Sequence, residues 1–214
     1  MKGRSWIAAV AVVGWFALAL QLYLVLAMRY EVQASLLGGL VNFFSYFTVL
    51  SNTLAAAAFT AAASVPATAT ARFFQRPGVV GGITCSLLLV GIAYSLLLRS
   101  LWQPQGWQWL VNELLHDVMP LLCLGFWWWA VPRGHLRGWH LPLWALYPVA
   151  YFGFTLLRGQ VIGTWPYPFL DVGALGYPRV LLNALMILAG FLGIGAMLWA
   201  VDRHSCSGVP SARQ

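Results

Sequence analysis

The amino-acid sequence predicts an all-α, polytopic membrane protein of six transmembrane helices, with the N and C termini in the cytoplasm. Three observations predict it. Of 214 residues, 61% are hydrophobic and only 8% charged, and the mean hydropathy is +0.76; a soluble domain carries about a quarter charged residues. The apolar residues gather in six runs near the ~20-residue length of a membrane-crossing helix, and none alternates with the period of two that a membrane barrel requires. The basic residues fall unequally on the two sides of those runs. These features exclude an ordinary globular enzyme, a disordered chain and a solvated scaffold.

The runs, in order, are 6–28, 41–63, 79–98, 109–131, 141–157 and 180–201. The first follows Lys2 and Arg4 and contains Ala17-Leu18-Ala19, which resembles a cleavage site. Its apolar stretch exceeds the roughly 7–15 residues of a signal-peptide core, so it reads as a retained span. Helix breakers separate the runs: Val65-Pro66, Arg76-Pro77-Gly78, Gln103-Pro104-Gln105-Gly106, Pro132-Arg133-Gly134 and the Pro-rich stretch 165–178. Residues 1–203 form a single transmembrane domain in this reading, and 204–214 a short cytoplasmic tail.

Orientation follows from charge. Lys2, Arg4, Arg72, Arg76, Arg133, Arg137, Arg203 and Arg213 lie on one side, and Arg29, Arg99, Arg158 and Arg179 on the other. Eight against four assigns the first side to the cytoplasm. The formal charge of +7 is no nucleic-acid footprint, because the cations lie singly between apolar runs. Eleven of the twelve are Arg, a bias read as GC-rich bacterial genome composition.

The polar residues inside the runs concentrate in the outer half. The first span has Gln21 and Tyr23 near its outer end. The second begins with Asn42, Ser45, Thr48 and Asn52, and the third ends with Tyr94, Ser95 and Arg99. The fourth begins with Asn112, Glu113, His116 and Asp117. The fifth ends with Tyr151, Thr155 and Arg158, and the sixth begins with Arg179 and Asn183. Polar groups at membrane depth need partners or a wet cavity, so the pattern predicts one polar cavity facing outward. At 1.5 Å rise per residue, Thr48 lies about 9 Å below Asn42 and His116 about 10 Å below Trp109, which puts a hydroxyl and an imidazole at similar depth.

Each of these residues also has a purely structural reading. Ser45, Thr48 and Asn52 share one helix face by spacing. The Thr48 hydroxyl can bond back to the Phe44 carbonyl, and Asn52 can join helices. Glu113 can pair with Arg99 or favour a helix N-terminus; Asp117 can do the same or orient His116. His116 can be a neutral packing histidine. It is the one histidine within a run, so the chain cannot supply two axial ligands to an intramembrane haem. Cys85, Cys123 and Cys206 have no metal-ligand spacing and form no disulfide framework. No metal or cofactor is expected, and GxSxG and HExxH are absent from the sequence.

The stretch Phe44-Ser45-Tyr46-Phe47-Thr48-Val49-Leu50-Ser51-Asn52 resembles the second-helix signature of the androgen-induced gene 1-like family, which includes the androgen-dependent TFPI-regulating protein and bacterial six-helix members. Glu113-Leu114-Leu115-His116-Asp117-Val118-Met119-Pro120 resembles its fourth-helix motif, a histidine followed by a proline. Trp165-Pro166-Tyr167-Pro168-Phe169-Leu170-Asp171 with Gly176-Tyr177 resembles the bacterial branch. The resemblance implies a membrane threonine hydrolase of fatty acid esters of hydroxy fatty acids. The family's essential threonine aligns on Thr48 and its histidine on His116. Phe44–Asn52 fits the bacterial pattern better than the animal one, which lacks an evident Ser51-Asn52 equivalent.

The expected chemistry is attack by Thr48 on an ester carbonyl with His116 as base. Asp117 or Glu113 is the candidate to fix the imidazole, and Asn52 or Ser45 to stabilise the oxyanion. Tyr94, Arg99, Tyr151, Arg158 and Asn183 are candidates to line the cavity. The partners are then a lipid ester and the bilayer, with no nucleic acid and no oligomeric state indicated. The alternative reading is a lipid-binding or proton-linked transport protein using Glu113, His116 and Asp117; a third is an assembly protein in which the cluster only fixes helix packing.

Overall fold

A computed structural model describes residues 2–64 and 68–204, and these are helical apart from short connections. The breaker Val65-Pro66, Cys206 and the tail beyond His204 lie outside the described residues. The helices are α1 (Lys2–Glu31), α2 (Leu36–Phe43), α3 (Phe47–Ala63), α4 (Ala69–Phe74), α5 (Pro77–Ala93), α6 (Gly106–Glu113), α7 (Met119–Ala130), α8 (His140–Ile162) and α9 (Val172–His204). Two π-turns, Tyr94–Leu98 and Leu114–Val118, continue α5 and join α6 to α7.

Among the described residues, four helical segments are long and apolar enough to cross a membrane: Arg4–Glu31, Pro77–Leu98, Gly106–Ala130 and Val172–His204. The pair α2 and α3 makes a fifth if counted as one span. The expected fifth run forms α8, which is 23 residues long and so about 34 Å. It is not among those four, because Trp144, Tyr147, Pro148, Tyr151, Arg158 and Gln160 lower its hydropathy.

The second run is not the continuous helix expected over 41–63. It breaks between Phe43 and Phe47 and bends by 71°. The Ser45 hydroxyl donates to the Val41 carbonyl (2.7 Å), a side-chain bond that competes with helix continuation. Tyr151 of α8 donates to the Ser45 carbonyl (2.8 Å) and so takes an acceptor the helix would have used. Ser45 therefore sits in a turn, and Ser45, Thr48 and Asn52 do not share one uninterrupted helix face.

The fourth run is likewise interrupted. Pro120 has no N–H, and in a regular helix its ring would strike the His116 carbonyl. The π-turn before it relieves that conflict: the Met119 N–H reaches back to Leu114 rather than to Leu115. Leu115, five residues before Pro120, is left without that donor, and Asn52 of α3 supplies one from its side chain (3.1 Å).

The core lies where α3 and α5 pack against α1, α7 and α9. Ala17, Ala55 and Ala56 are wholly buried, so small residues let α1 approach α3 closely. Phe59, Leu87, Met119, Trp127 and Phe191 fill the space around them. Gly91 of α5 faces the π-turn; a Cβ there would stand 2.9 Å from the His116 carbonyl oxygen. In α9 the backbone at Gly176 has φ 72° and ψ 158°, a conformation open essentially to glycine alone. It separates a first turn from the long helix that Pro178 begins.

Candidate functional site

Thr48 is the second residue of α3, placed there by the break before Phe47. His116 is the middle residue of the second π-turn. The two meet: Thr48 Oγ1 lies 3.5 Å from His116 Nε2, long for a hydrogen bond in the way unliganded catalytic pairs commonly are. The Thr48 hydroxyl is thus turned toward His116 and Tyr167 (Oη at 3.3 Å). His116 Nδ1 lies 2.9 Å from the Asn112 carbonyl. A carbonyl only accepts, so in the neutral ring Nδ1 carries the proton and Nε2 presents its lone pair to Thr48.

The imidazole is held on its face as well. Tyr94 of the first π-turn stacks on it at 4.1 Å between ring centroids. The Tyr94 hydroxyl accepts from Asn112 Nδ2 at 2.6 Å. Arg99 also lies over the Tyr94 ring, its guanidinium carbon 4.8 Å from the ring centre. Arg99 then donates to both Asp117 oxygens (2.7 and 2.6 Å) and stands 3.5 Å from Glu113. So the third member of the constellation is a backbone carbonyl, that of Asn112, where Asp117 or Glu113 was expected. The two carboxylates bind Arg99 instead.

Ser45 and Asn52 correct another expectation, since neither is free to stabilise an oxyanion. The Ser45 hydroxyl is engaged with Val41, as described above. Asn52 gives its amide hydrogens to the carbonyls of Thr48 (2.9 Å) and Leu115 (3.1 Å), and so couples the threonine-bearing turn to the histidine-bearing turn.

Thr48, His116, Tyr94, Tyr151 and Tyr167 are polar lining residues of a cavity of about 280 Å³. The rest of its wall is apolar, supplied by α5, α8, α9 and the loop before α9. The expected single polar cavity is therefore an apolar chamber with one polar end. Tyr151 lines it while its hydroxyl points at the Ser45 carbonyl. Arg158 and Asn183, both expected in the cavity, hold the loop. Arg158 donates to the Thr164 carbonyl and to Asn42 Oδ1, each at 3.0 Å, and Asn183 donates to the Phe169 carbonyl at 2.9 Å. Asp171, which lies in the same segment as Arg158 and Arg179, accepts the Ala174 N–H at the start of α9 (3.0 Å). Val149 of α8 and Leu181 and Leu185 of α9 line the chamber and are about half exposed, so it opens sideways between those helices.

Two features escaped the sequence. Asn112 stood among the polar residues of its run, but a main-chain carbonyl leaves no side-chain signature. The loop 165–171, with three aromatics and two prolines, reads from the sequence as a cap over the outer cavity; that its Tyr167 phenol touches a residue 119 positions away carries no signature of its own. Burial pushes the Tyr167 phenol above its ordinary range, so it stays protonated. No group of three or more potential metal ligands occurs among the described residues.

No family model, curated protein or solved structure matches the chain.

Proposed function

We propose that the protein is an integral-membrane lipid ester hydrolase in which Thr48 is the nucleophile and His116 the general base. One observation carries the reading: a threonine hydroxyl stands 3.5 Å from an imidazole nitrogen whose tautomer is fixed by the Asn112 carbonyl, at the polar end of an apolar chamber. Threonine is a weak nucleophile unless a base is beside it, and the oriented Nε2 lone pair is that base.

Thr48 Oγ1 bonds to the ester carbonyl carbon as its proton passes to Nε2. The tetrahedral intermediate collapses, the C–O bond to the alcohol breaks, and the departing oxygen takes the proton from His116. Water then attacks the acyl-threonine with the same base, releasing the carboxylic acid and restoring Thr48. The apolar wall suits an acyl chain, and the side opening between α8 and α9 suits access from a bilayer. The motifs around Thr48 and His116 resemble the androgen-induced gene 1-like hydrolases, which makes fatty acid esters of hydroxy fatty acids the first substrates to try. A multi-pass location in the cell membrane, six spans and cytoplasmic termini belong to the same proposal. They rest on α2 with α3 acting as one bent span, on the length of α8 and on the charge asymmetry.

The transport reading needs Glu113, His116 and Asp117 to act together as one proton-carrying site, and of the three only His116 lines the chamber. Glu113 and Asp117 are engaged by Arg99, which favours the hydrolase. The test uses purified protein in detergent with a fluorophosphonate probe and a panel of lipid esters. Thr48-dependent covalent labelling, with turnover lost in Thr48→Ala and His116→Ala, supports the proposal. Labelling at another residue, or none together with no turnover on any ester, overturns it.

A further inference from the structure

We propose that Tyr167 is a third catalytic residue of this site, the O–H donor that stabilises the oxyanion formed when Thr48 attacks. The proposal rests on Thr48 being the nucleophile and adds the group that the sequence did not supply.

The argument begins at the break before α3. The first N–H groups of a helix have no acceptor within it, and Tyr46, at the cap position, makes no side-chain bond to them. The Thr48 N–H points instead to the Tyr167 phenol oxygen, 3.3 Å away. That oxygen accepts from the N–H and so keeps its own proton to give. The Thr48 oxygen is also 3.3 Å from it. The bonds then run in one direction: Thr48 N–H to Tyr167, Tyr167 O–H to Thr48 Oγ1, Thr48 O–H to His116 Nε2, and His116 Nδ1–H to the Asn112 carbonyl.

As Oγ1 bonds to the carbonyl carbon, its proton leaves for His116 and the carbonyl electron pair settles on oxygen. That oxygen is one atom further from Oγ1, within reach of a phenol already aimed at this point. Tyr167 transfers its hydrogen bond from Oγ1 to the new oxyanion, and the N-terminal end of α3 favours the same charge. When the intermediate collapses the pair returns to the carbonyl, and the phenol keeps its proton throughout.

A plug that leaves when substrate arrives would occupy the same place, and the loop's anchorage decides between the two roles. The Tyr167 ring stacks on Phe169 with centroids 5.2 Å apart and planes 5° from parallel, and meets Tyr46 edge-on. Arg158 holds the loop at Thr164, Asn183 holds it at Phe169, and Asp171 caps the helix that follows. A phenol fastened on both sides is preorganised, which is what an oxyanion donor requires.

The test compares wild type, Tyr167→Phe and Thr48→Ala in detergent. It measures turnover of a p-nitrophenyl acyl ester and inhibition by an acyl trifluoromethyl ketone, which forms a stable tetrahedral adduct. Tyr167→Phe keeps the ring packing, so KM should stay within about threefold while kcat falls about 100-fold, as for loss of one oxyanion donor. The ketone should weaken by a similar factor, and fluorophosphonate should still label Thr48. Unchanged or faster turnover in Tyr167→Phe, or ketone inhibition as strong as in wild type, overturns the role of Tyr167 and leaves the Thr48–His116 reading intact. Absence of Thr48-dependent turnover and labelling in the wild type overturns both.

Discussion

At the scale of single residues, the hydroxyl of Thr48 is the atom on which most depends. Thr48→Ser keeps that oxygen and should retain ester hydrolysis. Thr48→Val keeps the branched shape and loses the oxygen, so turnover should fall by at least ~10³-fold if the nucleophile is gone. His116→Ala should be nearly as damaging, and the Thr48→Val, His116→Ala double variant little worse than either alone, because residues acting as a unit are non-additive. A well-folded Thr48→Val protein with wild-type turnover would remove Thr48 from the mechanism. Asn52 makes a contrasting case, since its loss should register as stability. Asn52→Ala leaves the Leu115 carbonyl without the donor that Pro120 cannot give; interhelical bonds of this kind contribute about 1 kcal/mol, to be read as a lowered thermal midpoint in detergent. Residue types along each run were readable from the sequence, which is why Thr48 and His116 stood out; the depth of Thr48 assumes an unbroken helix, and the helix breaks at Ser45. Their partners were not readable. Asp117 is adjacent to His116 in sequence, yet its carboxylate is committed to Arg99 on another element.

At the scale of elements, the site owes its geometry to two interruptions. Periodicity locates apolar runs well but assumes a regular helix, and a one-residue irregularity resets every face that follows it. The turn at Ser45 gives α3 an N-terminus at Thr48, and the π-turn before Pro120 sets the direction of His116. Pro120 was visible in the sequence, but whether a proline kinks, ends or swells a helix depends on what packs against it. Here Gly91 is part of the answer, because it lets α5 come up against the His116 carbonyl. Gly91→Ala should push α5 away from the π-turn. Overpacking of this size costs about 1–3 kcal/mol, and the displacement reaches His116 through Tyr94, three residues further along the same helix and stacked on the imidazole. The expected outcome is a lower thermal midpoint together with a lower kcat. A Gly91→Ala protein matching wild type in both would show that the close approach is unimportant.

At the scale of the whole molecule, the number of crossings decides where the chamber lies. Among the described residues, four segments satisfy length and apolarity alone, and α2 with α3 brings the number to five. The sequence carried the all-helical architecture because 61% apolar residues and 8% charged ones leave few other folds. It treats every run as an equal span, where length and composition single out four or five. α8 is the doubtful one by composition, yet it is 23 residues long and its Tyr151 supports the break that creates the site. Three of its aromatic side chains face inward to partners: Trp144 donates to the Gly78 carbonyl, Tyr147 stacks on Phe47 and Tyr151 packs against the same ring. Part of the lowered hydropathy of α8 thus comes from residues turned to the protein interior, and a crossing at α8 is consistent with its composition. The distinction is measurable by fusion. With Lys2 and Arg4 inside, six crossings return Gln214 to the cytoplasm and five leave it outside. An alkaline phosphatase fused after Gln214 should be inactive, a fluorescent protein at the same point should mature, and phosphatase inserted at Gly163 should be active. Active phosphatase after Gln214 would show an odd number of crossings and would put α8, with the chamber beside it, at the membrane surface rather than through it.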